Sequence, residues 1–183
     1  MKLAMKKREG SRKSALNELR RKGDIPAVLY SFGQPSENIV IDGTEFKAVL
    51  RKIPTGRLST TQFVLGEEGR EVTAIVKELQ RHPTTYDILH LDFMELKETV
   101  RVRVPVEYVG VGDCQGIKLG GFLRPVIRYI LVECAANAIP VAFPLDVREL
   151  AIGDFRRVSD IAMAEGIRCL NKLDEVAVVI AKR

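Results

Sequence analysis

The chain has 183 residues, 46% of them hydrophobic, and a formal net charge of +5 at pH 7. That length holds one large domain or two small ones, and no apolar run approaches the ~20 residues of a membrane-spanning helix. Leu3-Ala4-Met5 is too short for the apolar core of a signal peptide, and Cys114, Cys134 and Cys169, widely spaced and without a Cys-x-x-Cys pair, fit reduced thiols in a cytosolic protein.

Positive charge is concentrated at the start of the chain. Nine of the first 22 residues are basic and only Glu9 and Glu18 oppose them, so the remainder is slightly acidic. Residues 2–22 therefore read as a basic arm, the electrostatic footprint of a polyanion-binding surface, with nucleic acid the first candidate. An arm that is merely solvated is the competing reading. Within it, residues 14–22 suit a helix with Ala15, Leu16 and Leu19 on one side and Gly23 as a stop. Lys13, Arg20 and Arg21 are expected toward solvent or a partner.

Residues 25–30 follow as a strand, with Pro26 at its start where no ladder donor is lost, and residues 37–41 as a second. Asp42 with Glu45 three positions later resembles a capping box, opening a helix through Ile53 whose apolar face is Phe46, Val49, Leu50 and Ile53. Residues 61–65 and 70–79 read as two strands joined by the hairpin signal Gly66-Glu67-Glu68-Gly69. A further strand is expected over residues 86–94. There Leu89, Leu91 and Phe93 alternate with His90 and Asp92, so the polar pair shares the face opposite the core. Two such residues could ligate a metal or relay a proton, or they could serve a structural or nucleic-acid contact. No third ligand accompanies them, because His82 lies across a turn containing Pro83 and no cysteine is near.

The pattern shifts near residue 95, dividing the chain into 1–95 and 96–183. The junction Met94-Glu95-Leu96-Lys97-Glu98 has no Gly, Pro or Ser and reads as a short, ordered connection. Beyond it, Val100, Val102, Val104 and Val106 alternate with Arg101, Arg103, Pro105 and Glu107, a half-buried strand placed at a sheet edge by Pro105. Residues 126–134, 139–147 and 176–181 are further strands. The glycine-rich stretch 110–121 lacks the dinucleotide fingerprint and reads as a long loop. No Gly-x-Ser-x-Gly elbow, His-Glu-x-x-His helix, phosphate loop or telling Cys/His spacing occurs, so no enzyme chemistry, cofactor or metal is expected.

The motifs Arg8-Glu9-Gly10, Leu19-Arg20-Arg21-Lys22-Gly23-Asp24-Ile25-Pro26-Ala27-Val28-Leu29-Tyr30, Gln80-Arg81-His82-Pro83 and His90-Leu91-Asp92-Phe93 occur in this order. Gly116-Ile117-Lys118-Leu119-Gly120-Gly121, Ile139-Pro140, Leu145-Asp146-Val147 and Leu150-Ala151-Ile152-Gly153-Asp154 follow. Together they resemble the two-domain form of the bacterial large-subunit ribosomal proteins numbered twenty-five, the Ctc family, which bind 5S ribosomal RNA. The likeness spans nearly the whole chain.

The resemblance implies a mainly β protein: an N-terminal β-barrel with short helices, related to the anticodon-binding fold of glutaminyl-tRNA synthetase, then an all-β C-terminal domain. It implies a structural constituent of the large ribosomal subunit that docks through its N-terminal domain on the loop E region of 5S rRNA. By the same resemblance the RNA-contacting positions are Arg8, Lys13, Arg21, Tyr30, Lys77, Gln80, His90 and Asp92, and Arg20 joins them through the arm's charge. Neighbouring ribosomal proteins or rRNA would meet the C-terminal domain, with no membrane and the chain a monomer within the subunit. Two departures from the family's pattern stand out, Ser31 after the tyrosine and Ser14 in the arm, each where the family has glycine. A carboxylate beside phosphates is repelled unless it accepts hydrogen bonds from base amino or ribose hydroxyl groups, so Asp92 points to readout, with His90 donating alongside it. The alternative from another class is a stand-alone stress or protein-interaction protein with a solvated arm.

Overall fold

The computed structural model describes residues 1–8, 12–31, 33–67 and 70–182, in two compact units, Met1–Glu98 and Thr99–Arg183. Alternating burial defines the first element. β1 (Lys2–Lys7) turns Leu3 and Met5 into the core and leaves its lysines outside. It runs antiparallel to β3 (Glu37–Asp42) and parallel to β4 (Gln62–Glu67), and so closes a barrel in the order β1-β3-β2-β6-β5-β4, with β2 spanning Asp24–Tyr30, β5 Arg70–Arg81 and β6 Ile88–Glu95. This corrects the expectation of a basic arm over residues 2–22. The first seven residues are barrel wall, missed because Leu3 and Met5 among three lysines give too weak an alternation to register. Expectations on Glu9, Gly10 and the Glu68-Gly69 hairpin tip lie outside the described residues.

Phe46, Phe63 and Phe93 are fully buried, Phe63 meeting Phe93 edge-on with ring centroids 6.0 Å apart and Phe46 at 6.2 Å. Phe46 comes from α2 (Gly43–Lys52), whose N-cap Asp42 accepts the amide hydrogens of Thr44 and Glu45. The other helix, α1 (Lys13–Lys22), ends at Gly23, whose φ of 92° needs glycine. A Cβ on Gly43 would overlap the Gly23 carbonyl, so the start of α2 can meet this helix end only because position 43 is glycine.

The second unit is mainly β, with β7 (Thr99–Val109), β8 (Gly121–Pro125), β9 (Tyr129–Ala135), β10 (Phe143–Asp146), β11 (Phe155–Arg157), β12 (Arg168–Cys169) and β13 (Val176–Lys182). They form a sheet β10-β7-β9-β12 and a sheet β11-β13-β8. The Tyr108 hydroxyl of β7 donates to Ile127 O at 2.7 Å, tying the first sheet to the turn leaving the second. β7 is not an edge strand, contrary to the expectation from Pro105. Val106 N–H donates to Arg128 O on the β9 side, so position 105 points its missing N–H the other way, where β10 begins only level with Val106. The glycine-rich stretch is no open loop either. It holds a short helix, α3 (Gln115–Lys118), and a Cβ on Gly116 would lie 2.9 Å from the Ala151 carbonyl carbon. No helix of the described residues is long and apolar enough to cross a membrane.

Candidate nucleic-acid interface

The barrel's outer face over β5, β6, β2 and β3 collects most of the residues singled out from the sequence. Strand register does this. Asp92 of β6 lies opposite Glu78 of β5 on one side and Val28 of β2 on the other, and Val28 lies opposite Asn38 of β3. Past the end of β1, Arg8 N–H donates to Asn38 O at 2.9 Å and the Arg8 guanidinium donates to Asn38 Oδ1 at 3.1 Å. Arg8, Asn38, Val28, Asp92 and Glu78 thus form one row across the wall. At ~4.8 Å per strand, Arg8 and Asp92 are about 14 Å apart on a shared face.

The next positions along β6 and β5 are His90 and Gln80, again opposite one another. A bulge between Val76 and Glu78 inserts Lys77, so inward Val76 is followed by two outward side chains, Lys77 and Glu78. Tyr30 ends β2 beside Met94. Burial, then the carboxylates of Asp92 and Glu78, push its phenol above the ordinary value, so Tyr30 stays a neutral hydroxyl.

His90 Nδ1 and Asp92 Oδ1 are 2.8 Å apart, with 22% and 30% of the side chains exposed. The bond puts a proton on Nδ1 and orients the carboxylate, whose remaining lone pairs are acceptors. His90 therefore orients Asp92. Acceptors at this spot suit amino and hydroxyl donors of a nucleic acid and repel phosphate. Among the described residues no three His, Cys, Asp or Glu side chains group as a metal site.

Three of the expected cations lie on α1, which packs against β2. Lys13 opens α1 and Arg21 lies in its last turn, both exposed. Arg20 differs from expectation: it is half-buried, and its Nε donates to the Leu89 carbonyl at 3.1 Å, one residue from His90. It fastens α1 to the barrel instead of facing solvent. Lys22 is engaged by Glu18 at 2.9 Å. Ser14 inside α1 and Ser31 after β2, the two positions where the resemblance led to an expectation of glycine, are accommodated without left-handed backbone. The Ser31 Oγ is buried with no hydrogen-bond partner among the described residues. Sequence reasoning missed Asn38 and Glu78, whose outward positions on predicted strands were the available signal, because only register brings them beside Arg8 and Asp92.

A barrel bearing the His90–Asp92 pair on its open sheet, followed by a separate β unit, matches known families over its whole length. Residues 3–93 match the model of the Ribosomal L25p family, and residues 99–183 that of the ribosomal protein TL5 C-terminal domain. Proteins named large ribosomal subunit protein bL25 from Chlamydia trachomatis serovar A and Chlamydia muridarum are each 45% identical over 185 aligned residues that cover both chains entirely. That from Chlamydia pneumoniae is 42% identical over the same span. The chain belongs to the ribosomal L25p family. It has the two-domain form, and the family is one of structural proteins of the large ribosomal subunit, not of enzymes. Within the L25p unit His90, Asp92, Tyr30 and Gln80 occupy the open β-surface, while Arg8, Lys13 and Arg21 lie on β1's exit and α1.

Proposed function

We propose that this chain binds 5S rRNA at its loop E region through the outer face of the N-terminal barrel, as a structural constituent of the large subunit. The observation that carries the reading is the His90–Asp92 pair, an oriented carboxylate on an open sheet, with Lys13 and Arg21 exposed on the adjoining α1. A face meant only to attract phosphate would not place two carboxylates, Asp92 and Glu78, at its centre. A-form RNA presents 2′-hydroxyls and base edges in a wide, shallow minor groove, and a sheet surface with short polar side chains reaches them. Lys13 and Arg21 supply phosphate contacts that set affinity and register. The second unit contributes a contact with neighbouring rRNA or ribosomal protein.

The test compares Asp92→Asn and Arg21→Ala on 5S rRNA and on an unrelated RNA duplex at one fixed salt concentration. Removing a readout interaction weakens 5S binding by about 1–3 kcal/mol and leaves the unrelated duplex nearly unaffected. Arg21→Ala weakens both RNAs alike, as removal of a phosphate partner does. Equal losses on both RNAs for Asp92→Asn, or tighter binding from relieved repulsion, would overturn the assignment of Asp92.

A further inference from the structure

At the far end of the β5–β6 ribbon the chain turns through residues 82–87, and there Tyr86 adopts φ = 58°. It is the one residue other than glycine with positive φ among the described residues, and the residue is 71% exposed. A Cβ crowds the following carbonyl in this conformation, and a bulky aromatic is among the side chains least suited to it. Nothing in the barrel compensates by burying the ring.

The turn is nonetheless firmly built. His82 N–H donates to Asp87 O at 2.8 Å and Tyr86 N–H to His82 O at 3.0 Å. The His82 ring folds back so that Nδ1 accepts the amide hydrogens of Thr84 and Thr85, at 3.3 and 3.2 Å. Lys47 of α2 reaches Asp87 at 3.7 Å from the other side. A network of this kind over-determines the backbone, which is the condition under which an unfavourable φ persists, and such residues concentrate where a protein meets its ligand.

We infer that Tyr86 is a preorganised stacking platform for an unpaired base of the RNA that occupies the adjacent barrel face. The inference rests on the reading of that face as an RNA surface. Two facts favour a base over a protein side chain as the occupant. The turn continues the same two strands that carry Gln80 and His90, two positions along, or about 7 Å at 3.3 Å per residue. Arg81, exposed where β5 enters the turn, supplies positive charge for the backbone of a nucleotide that leaves the duplex. Sequence-specific RNA recognition acts mainly on such splayed bases, and aromatic stacking accepts any of them.

Strain and function separate experimentally here. Tyr86→Gly and Tyr86→Asn suit the left-handed backbone, so both variants keep or raise the thermal midpoint of the full-length protein. Each weakens 5S rRNA binding by about ten-fold at fixed salt, the scale of a single base stack. Tyr86→Phe keeps the ring and binds within about two-fold of the parent. Fluorescence of 2-aminopurine placed at successive unpaired positions of the RNA is quenched by the parent at one of them and recovers with Tyr86→Gly. If the parent prefers 5S rRNA and Tyr86→Gly binds equally well, the platform is refuted while the RNA-binding face stands. A lowered midpoint for Tyr86→Gly also refutes it, since the ring would then stabilise the fold. Failure of the parent to prefer 5S rRNA over an unrelated duplex overturns both.

Discussion

Removing residues 1–7 separates a charged arm from a barrel wall. Leu3 and Met5 are each only 3% exposed, and burying each contributes about 1.5–3 kcal/mol, or about 3–6 kcal/mol together. β1 also pairs on both sides, with β3 and β4, so its loss opens two edges in a closed barrel. Against a total stability of about 5–15 kcal/mol, the truncated first unit does not stay folded. The contrasting change, Lys6→Gln with Lys7→Gln, touches two exposed side chains and leaves the strand in place. It should hold the melting temperature and lower the slope of log affinity against log salt by about 0.7–0.9 for each phosphate that these lysines neutralise. Thermal melts followed by circular dichroism, amide exchange over β4 and β5, and RNA binding across a salt series read all three quantities. A truncated chain that melts within a few degrees of the parent, with β4 and β5 still protected, would refute the structural role of β1.

Two further changes follow from individual hydrogen bonds. Ser31→Ala removes a buried hydroxyl without a partner among the described residues, and should raise stability in urea by up to about 1 kcal/mol, whereas a loss would reveal a bond that Ser31 makes. Asp42→Ala removes an N-cap and should cost about 1 kcal/mol at pH 7. The Glu45 and Thr44 amides, with Lys6 adding to them, hold the Asp42 carboxyl below its usual range. Its contribution is therefore complete above the unfolded carboxylate value near ~3.9 and fades as pH falls through the lower folded value, so the gap between parent and Asp42→Ala should close in acid denaturation curves below about pH 4.

How much was legible depended on the kind of signal each element carries. β6 and β7 alternate apolar with polar residues over five or more positions, and their faces could be assigned from that period. β11 and β12 are three and two residues long, too short to carry a period, and both are set by pairing with distant strands. β6 begins at Ile88, later than the alternation suggested, because the His82 ring holds 84 and 85 in a turn, which no local pattern announces. The His90–Asp92 pair was visible, since positions i and i+2 of a strand share a face. Its neighbours Asn38 and Glu78 were not, since they join it across register between strands far apart in sequence. Arg20 illustrates a different limit: its bond to the Leu89 carbonyl, which joins α1 to the barrel, crosses 69 positions of sequence and no local pattern announces it.

The boundary between the two units is itself testable at the resolution of three residues. We propose that the first unit folds and binds RNA alone, because Phe46, Phe63 and Phe93 and the strands around them close a core within residues 1–98. The sequence pattern places the division after residue 95, where β6 also ends, yet Leu96 N–H donates to Thr73 O at 2.9 Å and its side chain is half-buried. A fragment ending at residue 95 loses that bond, worth about 0.5–1.5 kcal/mol, and exposes Thr73 O on β5. For a domain of this size 1 kcal/mol corresponds to about 4–8 °C, so the fragment 1–95 should melt a few degrees below the fragment 1–98. Both should bind 5S rRNA, since every residue of the proposed interface lies before residue 95. Equal midpoints would remove Leu96 from the first unit. If the fragment 1–98 is folded and fails to bind while the whole chain binds, recognition of the RNA is shared with the second unit.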